Sequence, residues 1–340
     1  MNYVGLDVHK RYSVLCAVSE KGRKLKEARI EGNSLSDFSK FFARLKGPSK
    51  VVFEAGWNWG STYDLLKEVG RIREIVMAHP SKTRLIAAAE VKTDELDAFA
   101  LGTLLRGNLV AQVHIPSKLA RARKNLIRQR MYWVRLRTML RNRIQALLDR
   151  QRELELPQCS NIFTVKGLRF LRSLQLAEPE STLLGEQLIL HDLISMQIRS
   201  QEKRIVAEFA REPMTQYLLS VPGIGDTLAA LIAGEVGQIK RFSTPAKLCA
   251  YAGLVPTTRA SGGKFKRGRQ LRWCNKRLRW AFTEASWTAA HCSPYFRNIY
   301  QKHFRRGKRA KIAITIVARR LCCIVWHLLS EKRTFKKRQC

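Results

Sequence analysis

Four acidic residues at the ends of apolar segments place the strongest constraint on the fold of this chain. They are Asp7, Glu54, Asp94 and Asp97. The first two end the short apolar runs 3–6 and 51–53. The last two lie three residues apart after Thr93, a good N-cap, and so share one face of a predicted helix. In a chain with a formal charge of +36, such acids add nothing to solubility. A divalent cation would explain them.

The order of predicted elements in residues 1–115 is that of an α/β domain. The predicted strands cover 3–8, 12–18, 25–30, 51–54 and 74–77. The predicted helices cover 34–45, 62–69, 82–90 and 94–105. The first three strands follow one another closely, which predicts an antiparallel meander. This order is that of an RNase H-like fold, in which all four acids converge.

Positive charge is concentrated at the carboxyl end of the chain. Residues 1–115 carry +5, residues 116–235 carry +7, and residues 236–340 carry +24. Self-repulsion on that scale favours a polyanionic partner. The best apolar stretch, 312–329, is broken by two arginines, so we expect no membrane partner. Nucleic acid is the favoured partner, and binding is expected to weaken with salt.

The opening residues and the cysteines indicate the compartment. Asp7 and Lys10 interrupt the first residues, so we expect no signal peptide. The eight cysteines show no paired C-x-x-C spacing, which disfavours zinc and favours reduced core thiols. These features predict a cytoplasmic, nucleoid-associated protein.

Two helical runs predict a coiled-coil hairpin over residues 116–212. The first has apolar residues at regular seven-residue intervals: Leu119, Leu126, Trp133, Leu140 and Leu147. The second comprises Leu184, Leu188, His191, Ile198, Ile205 and Phe209. The loop between them, 157–179, would let the helices pack antiparallel or pair with another subunit. The basic outer surface fits a solvated face and direct nucleic-acid contact equally well.

Residues 213–330 predict a mainly α-helical domain. The sequence Val221-Pro222-Gly223-Ile224-Gly225 before helix 226–236 is typical of a helix-hairpin-helix element. The glycines Gly223 and Gly225 would let backbone N–H groups approach a phosphate. Helices are also predicted over 275–290 and 308–329, and a mobile basic tail over 331–340.

A glycine-rich basic loop over 259–269 contains Ser261. From the residues alone, Ser261 fits a structural turn, a phosphate-binding turn or a nucleophile, and the structural turn is favoured. Basic residues near it are candidate phosphate contacts: Lys264, Lys266, Arg267, Arg269 and Arg272.

Several motifs in one order resemble the DEDD-type transposases of the IS-one-ten family of insertion sequences, which are bridge-RNA-guided recombinases. The N-terminal motifs are Gly5-Leu6-Asp7-Val8-His9-Lys10, Glu54-Ala55-Gly56 and Lys92-Thr93-Asp94-Glu95-Leu96-Asp97-Ala98. The C-terminal motifs are Val221-Pro222-Gly223-Ile224-Gly225, Tyr251-Ala252-Gly253-Leu254-Val255-Pro256 and Ser261-Gly262. One departure is Cys274-Asn275, where many members have Gly-Asn.

The resemblance implies a RuvC-like domain over 1–115, a coiled-coil linker and a transposase domain over 213–330. It implies that Asp7, Glu54, Asp94 and Asp97 bind Mg²⁺, and that Ser261 is the nucleophile that forms a phosphoserine with DNA. It also implies donor and target DNA, a structured bridge RNA, and a homo-oligomer, either a dimer or a tetramer in the synaptic complex.

Two other functions stay open. In a metal-dependent nuclease or Holliday-junction resolvase, water attacks and Ser261 only holds a turn. In a non-catalytic nucleic-acid-binding protein, the four acids are ordinary ends of strands and helices. His9 neighbours Asp7 and could assist the metal site, but a solvent-facing turn residue is favoured. His191 is predicted to be a buried core residue.

Overall fold

The computed structural model describes residues 1–86, 93–151, 154–155, 157–158, 161–261, 264–271 and 273–336. At 84–86, 259–261, 264–267 and 269 it describes the backbone only. The chain forms two compact units, Met1–Ile115 and Pro116–Cys340.

The first unit is built on a five-stranded mixed sheet. Its strands are β1 (Asn2–Val8), β2 (Tyr12–Val18), β3 (Lys24–Glu31), β4 (Ser49–Glu54) and β5 (Ile72–Ala78). The strand order is β3-β2-β1-β4-β5. The β1–β2 and β2–β3 pairs are antiparallel, whereas β1–β4 and β4–β5 are parallel. The predicted meander of the first three strands is confirmed, and β1 lies at the centre.

Helices cover both faces of this sheet. They are α1 (Leu35–Ala43), α2 (Trp59–Glu68), α3 (Pro80–Ile86) and α4 (Asp94–Arg106). Alternate residues of β2 face opposite sides, as the pleat requires. Leu15 and Ala17 belong to the core cluster that includes the α1 phenylalanines, whereas Val14 and Cys16 pack with Ala98 of α4. Residues 87–90 of the predicted helix 82–90 lie outside the described residues.

The second unit is mainly helical. Its helices are α5 (Lys118–Leu148), α6 (Val165–Ser173), α7 (Glu180–Phe209), α8 (Pro213–Leu219), α9 (Asp226–Val236), α10 (Pro245–Tyr251), α11 (Lys276–Cys292), α12 (Pro294–Arg305) and α13 (Ala310–Glu331). Two strands, β6 (Pro256–Ser261) and β7 (Lys264–Gln270), form an antiparallel hairpin.

The long helices α5 and α7 pack antiparallel within the chain. Arg123 of α5 pairs with Glu208 of α7, and Arg130 with Glu202, so rising numbers on one helix match falling numbers on the other. All six apolar-run positions predicted on α7 are buried. The seven-residue seam on α5 is only partly right, because Leu147 is buried whereas Leu119 is 57% exposed.

Several segments of the second unit differ from the prediction, which also lacked the short helices α8 and α10. The predicted loop 157–179 contains helix α6, whose Leu171 packs in one cluster with Ile144 of α5 and Leu184 of α7. The predicted loop 259–269 forms the β6–β7 hairpin, whose register pairs Thr258 with Arg267. Helix α12 was not predicted; it follows α11 after one residue, Ser293.

The carboxyl end of the chain belongs to the core of the second unit. Helix α13 is long and apolar enough to cross a membrane by length and composition alone, but half of its most apolar window is buried within the protein. The described part of the predicted tail contacts this core through Phe335. The Phe335 N–H donates to Ser220 Oγ at 2.8 Å, and its ring stacks on Phe296. Residues 337–340 lie outside the described residues.

Candidate functional site

The carboxyl ends of β1 and β4 bring two of the predicted acids to one edge of the sheet. The two strands are parallel neighbours, and Leu6 pairs with Phe53. The next residue along each strand is Asp7 and Glu54, so these two lie side by side at that edge. The Asp7 side chain is partly buried, whereas Glu54 is exposed.

Helix α4 carries the other two acids in its first turn. Asp94 is the first residue of the helix and Asp97 is the fourth. Thr93 caps the helix, because its Oγ1 accepts a hydrogen bond from the Leu96 N–H at 3.3 Å. Acidic side chains at this end interact favourably with the helix dipole, which stabilises the helix where the acids are needed.

Two glycines let α4 approach the central strand closely. A Cβ on Gly5 would lie 1.9 Å from the Ala98 carbonyl oxygen and 2.5 Å from the Gly102 nitrogen. A Cβ on Gly102 would lie 3.1 Å from the Gly5 nitrogen. The helix and strand backbones are therefore in direct contact, and this contact holds the start of α4 near Asp7.

The tightest group of metal-ligating atoms that the described residues offer comes from Asp7, His9 and Asp94. One ligand atom from each residue lies within 4.8 Å of the other two. His9 Nε2 lies 3.0 Å from Asp7 Oδ2 and 3.3 Å from Asp94 Oδ2. The His9 side chain is still 38% exposed, as predicted for a turn residue, but its imidazole also contacts both carboxylates, which agrees with the alternative of a histidine beside the metal site. We call Asp7, His9 and Asp94 the acidic cluster.

Tyr12 contacts the acidic cluster from β2. Its hydroxyl donates a hydrogen bond to Asp94 Oδ2 at 2.9 Å, and this bond raises the pKa of Tyr12. The ring stacks on His9 at 4.5 Å between centroids, and the Arg29 guanidinium lies 3.7 Å from its centre. Sequence reasoning missed Tyr12, since 82 residues separate it from Asp94.

The turn between β1 and β2 is fixed by one side chain. Asn33 donates hydrogen bonds to the carbonyl oxygens of His9 at 2.9 Å and Tyr12 at 3.3 Å. Ser13 Oγ in turn donates to Asn33 Oδ1 at 2.7 Å. These bonds hold both ring-bearing residues in place beside the carboxylates.

The electrostatics of the acidic cluster fit a divalent cation. Burial raises the pKa of Asp7, the charge of His9 opposes this rise, and the charges of Asp94 and Asp97 add to it. Across the described ranges, His9 is the one basic side chain within ion-pair distance of Asp7 or Asp94. Carboxylate oxygens crowded in this way are the ligands that hard divalent cations prefer.

The four predicted acids therefore differ in their placement. Asp7 and Asp94 belong to the acidic cluster. Asp97 lies in the same helical turn as Asp94, and its charge acts on Asp7. Glu54 lies at the neighbouring strand end, outside the 4.8 Å group.

The predicted nucleophile lies in the second unit. Ser261 is the last residue of β6 and pairs with Lys264, the first residue of β7. Its backbone is therefore next to the tip of the hairpin. Gly262, Gly263 and Arg272 lie outside the described residues. So do the side chains of Ser261, Lys264, Lys266, Arg267 and Arg269.

Asn275 anchors the chain just after this hairpin. Its Oδ1 caps α11 by accepting from the Leu278 N–H at 3.0 Å. Its Nδ2 donates to Glu235 Oε2 at 2.9 Å and to the Tyr251 hydroxyl at 3.3 Å. At Cys274 the chain differs from the Gly-Asn of many family members, but the next residue, Asn275, still caps a helix and anchors the chain.

Glu235 is a buried carboxylate that sequence reasoning did not find. It is only 1% exposed, and it is paired with Arg128 at 3.3 Å and Lys124 at 3.9 Å, both from α5. Burial lowers the pKa of Lys124. This network ties α5 to α9 and, through Asn275, to the start of α11.

The two glycines of the predicted helix-hairpin-helix element have different environments. Gly223 has φ +87°, and a Cβ there would lie 2.3 Å from the Ala285 carbonyl oxygen of α11. Gly225 is exposed at the N-cap of α9, with no atom near its Cβ position. Gly223 is thus required for packing, and only Gly225 presents an open backbone to a ligand.

Two family models match the chain. A transposase model of the IS110 DEDD type matches residues 4–152, which include all four predicted acids. The model of the IS116/IS110/IS902 transposase family matches residues 215–301, which include Ser261.

Relatives of the chain include a putative transposase and proteins of insertion elements. A putative transposase, y4qE, from Sinorhizobium fredii is 26% identical and aligns over 97% of this chain and 89% of its own length. The IS110 43.6 kDa protein of Streptomyces coelicolor is 30% identical over 42% of this chain and 35% of its own length. The IS116 44.8 kDa protein of Streptomyces clavuligerus is 29% identical over 43% and 37%.

The two models match the chain in the same order as the N-terminal and C-terminal sequence motifs. The alignment to y4qE also extends over nearly the whole chain. The chain therefore belongs to the IS110/IS116 family of insertion-sequence transposases, enzymes that cleave and rejoin DNA.

Proposed function

We propose that this chain is the Mg²⁺-dependent transposase of an insertion sequence, that it joins DNA through a phosphoserine at Ser261, and that a structured bridge RNA guides it. The acidic cluster carries this proposal, because it lies inside the segment that matches the DEDD model. The strand order of the first unit supports an RNase H-like, RuvC-like domain. The packing of α5 on α7 supports a coiled-coil linker.

The metal centre is assigned to Asp7, Glu54, Asp94 and Asp97. A bound Mg²⁺ would offset negative charge on the phosphate and on the oxygens that attack and leave. The chain's part is to hold these carboxylates in place: the Gly5–Gly102 contact sets the position of α4, and Tyr12 orients Asp94 through its hydrogen bond.

The assignment of the acids is tested by paired substitutions in α4. Asp94→Asn together with Asp97→Asn removes two ligands and is expected to abolish strand cleavage. Glu95→Gln changes an exposed acid in the same turn and leaves cleavage within about twofold of the wild-type rate. Full recombination by the Asp94/Asp97 double variant would overturn metal catalysis at this site.

Ser261 is assigned the attack on the scissile phosphate. Its Oγ bonds to phosphorus, the bond from phosphorus to one bridging deoxyribose oxygen breaks, and the serine proton is passed to solvent while that oxygen becomes a hydroxyl. The phosphoserine keeps a phosphodiester linkage, so attack by another DNA hydroxyl rejoins the strand and restores Ser261 without ATP. Basic residues of the hairpin neutralise the phosphate.

Trapping the covalent intermediate separates this chemistry from a nuclease. With a nicked or suicide DNA substrate, the wild type is expected to form an adduct that resists denaturation. Ser261→Ala loses the adduct, and Ser200→Ala, a change at an exposed serine of α7, keeps it. Cleavage that persists in Ser261→Ala without an adduct would show that water attacks, as in a nuclease or junction resolvase.

The acids and Ser261 lie in different units of the chain. We assign them to one composite site shared between subunits of a homo-oligomer, a dimer or a synaptic tetramer. Mixing the inactive variants Ser261→Ala and Asp7→Ala then restores activity, since some sites receive an intact serine and intact acids. Mixed oligomers without activity would show that each subunit must supply both parts.

The guide RNA and the compartment are proposed from the resemblance to the family. The chain is assigned to the cytoplasm, where it meets the nucleoid DNA. Sequencing RNA that copurifies with the protein tests the guide: a single structured RNA encoded next to the gene is expected, and a random sample of cellular RNA would refute it.

A further inference from the structure

A cleft of about 300 Å³ lies between α5, α6 and α7, and most of the charge that lines it is positive. Its lining includes Arg137, Arg141, Phe163, Arg172, His191 and Arg199. We call this the arginine cleft. Its volume is at the lower end of the range for small-ligand pockets. Four of the six residues, from Phe163 to Arg199, lie in the stretch that neither family model matches.

The arginine cleft differs from the rest of the α5–α7 interface in its pairing. Nearer the start of α5, two partly buried arginines have acidic partners: Arg123 pairs with Glu208 and Glu212, and Arg130 with Glu202. In the cleft, Arg137, Arg141 and Arg199 have no carboxylate within ion-pair distance among the residues that the structure describes.

The two α5 arginines of the cleft are partly buried rather than extended into water. Burial lowers the pKa of Arg137, and the charge of Arg130 lowers it further. Burial and the charge of Arg137 likewise lower the pKa of Arg141. Guanidinium groups that crowd together with little solvent are unfavourable unless an anion compensates them. A purely solvated basic face would not produce this arrangement.

The side chains around Arg141 hold its guanidinium in place. Its Nε donates to His191 Nε2 at 3.2 Å, and its guanidinium carbon lies 4.9 Å from the centre of the Phe163 ring. His191 is only 2% exposed and stacks on Phe163 at 5.6 Å. The terminal nitrogens of Arg141 donate to none of the described residues. They remain available for a bidentate contact with an oxyanion.

His191 adds an unused donor to the cleft wall. Because Nε2 accepts from Arg141, the ring proton is on Nδ1, and that buried atom has no hydrogen-bond partner among the described residues. The nearest acidic oxygen, Asp192 Oδ1, lies at 3.5 Å. Asp192 also pairs with Arg172 at 2.6 Å, but both are about half exposed, so that surface pair is weak.

We propose that the arginine cleft binds a backbone phosphate of a nucleic-acid strand and so makes the helical hairpin a nucleic-acid contact. Phosphate supplies the missing negative charge and offers oxygens for bidentate arginine contacts. A nucleic acid is favoured over free phosphate because residues 117–152 hold 12 basic residues and a single acid, so a polyanion finds further contacts along α5. Phosphate binding in the arginine cleft would not require Ser261 to form a phosphoserine.

Binding assays with matched variants test this proposal without requiring catalysis. Arg137→Gln with Arg141→Gln removes two cleft charges. Arg135→Gln with Arg204→Gln removes two exposed charges from the same helices, outside the cleft. Fluorescence anisotropy with a labelled single strand and a labelled duplex, over a range of salt, gives affinity and salt dependence for each variant.

The cleft variant is expected to lose at least about tenfold in affinity for one of the two nucleic acids. The slope of log affinity against log salt concentration should also become shallower, by about 0.7–0.9 for each of the one or two phosphate contacts that are lost. The control variant should change about threefold or less. Equal losses in the two variants would overturn the proposal, since general charge would then explain binding. Tight calorimetric binding of inorganic phosphate alone, with no added affinity for oligonucleotides, would also overturn it.

Chemical protection of the wild-type chain covers the case in which the cleft variant does not fold. Phenylglyoxal modifies accessible arginines, and bound oligonucleotide is expected to protect Arg137 and Arg141 while Arg135 stays reactive. Unchanged modification of Arg137 and Arg141 at saturating oligonucleotide would refute the contact.

Discussion

The direct contact between α4 and β1 makes a sharp prediction about Gly5. In Gly5→Ala, the new Cβ would lie 1.9 Å from the Ala98 carbonyl oxygen, whereas ordinary contacts begin at 3.4 Å. The shortfall is 1.5 Å, and the atoms that the Cβ would meet belong to the α4 backbone, so the helix itself must move. Overpacking of this kind typically costs about 1–3 kcal/mol of folding stability, which leaves most domains folded.

Movement of α4 carries Asp94 away from Asp7, and this should affect catalysis more than folding. A misplacement of about 1 Å in a catalytic group can cost about 100-fold in rate. We therefore expect Gly5→Ala to retain its far-ultraviolet circular dichroism, to bind Mg²⁺ or Mn²⁺ more weakly by calorimetry, and to cleave DNA about 100-fold more slowly. Cleavage is measured in single-turnover reactions at saturating metal.

Alanine substitutions at two other glycines are expected to cause smaller losses of cleavage than Gly5→Ala. Gly102→Ala places its Cβ at 3.1 Å or more from its neighbours, so a smaller loss is expected, and alanine's helix propensity offsets about 1 kcal/mol. Gly70→Ala meets nothing within 4 Å and should behave like the wild type. Wild-type cleavage by Gly5→Ala, or an equal loss in all three variants, would refute the argument that this contact positions the acids.

Three further predictions concern contacts that the structure adds. Tyr12→Phe removes the donor to Asp94 and is expected to weaken metal binding about 10- to 100-fold by calorimetry; an unchanged affinity would contradict this role. Gly223→Ala should cost at least about 3 kcal/mol in urea denaturation, because it combines a clash with α11 and a positive φ. Gly225→Ala should cost much less, and equal losses would contradict the packing role of Gly223. Asn275→Ala loses a helix cap and a donor to buried Glu235, which together are worth about 2–4 kcal/mol of unfolding free energy; a loss no greater than that of exposed Asn298→Ala would contradict it.

The sheet of the first unit could be predicted because its sequence signals are local. Short apolar runs, a capping serine before α1 and Thr93 before α4 each act within a few residues, and the bounds of the strands agree within two or three positions. Contacts between distant residues could not be predicted in the same way. Tyr12 meets Asp94, and Asn33 holds the turn at His9, only after the sheet has formed.

The second unit was harder to predict because glycines and charges have several possible roles. The basic segment around Ser261 has the composition of a loop, yet its described backbone forms paired strands, with Thr258 opposite Arg267. Gly223 has the spacing of a phosphate-binding turn, yet its Cα faces α11. The composition of such a segment is compatible with several structures, and its packing in the folded chain decides which one forms.

The geometry of α5 explains why its arginines escaped prediction. A strict seven-residue repeat drifts by about 20° per heptad on a straight helix, so four heptads separate Leu119 from Leu147 by about 80°. That drift agrees with one end of the seam being exposed and the other buried. It also lets positions outside the repeat face α7, as Ile127 and Ile144 do together with Arg130 and Arg141. A sequence pattern that assigns every arginine to the solvent face therefore overlooks those between the helices. Of these, Arg130 is paired with Glu202, whereas the charge of Arg141 has no such partner among the described residues and carries an energetic cost that a phosphate would remove.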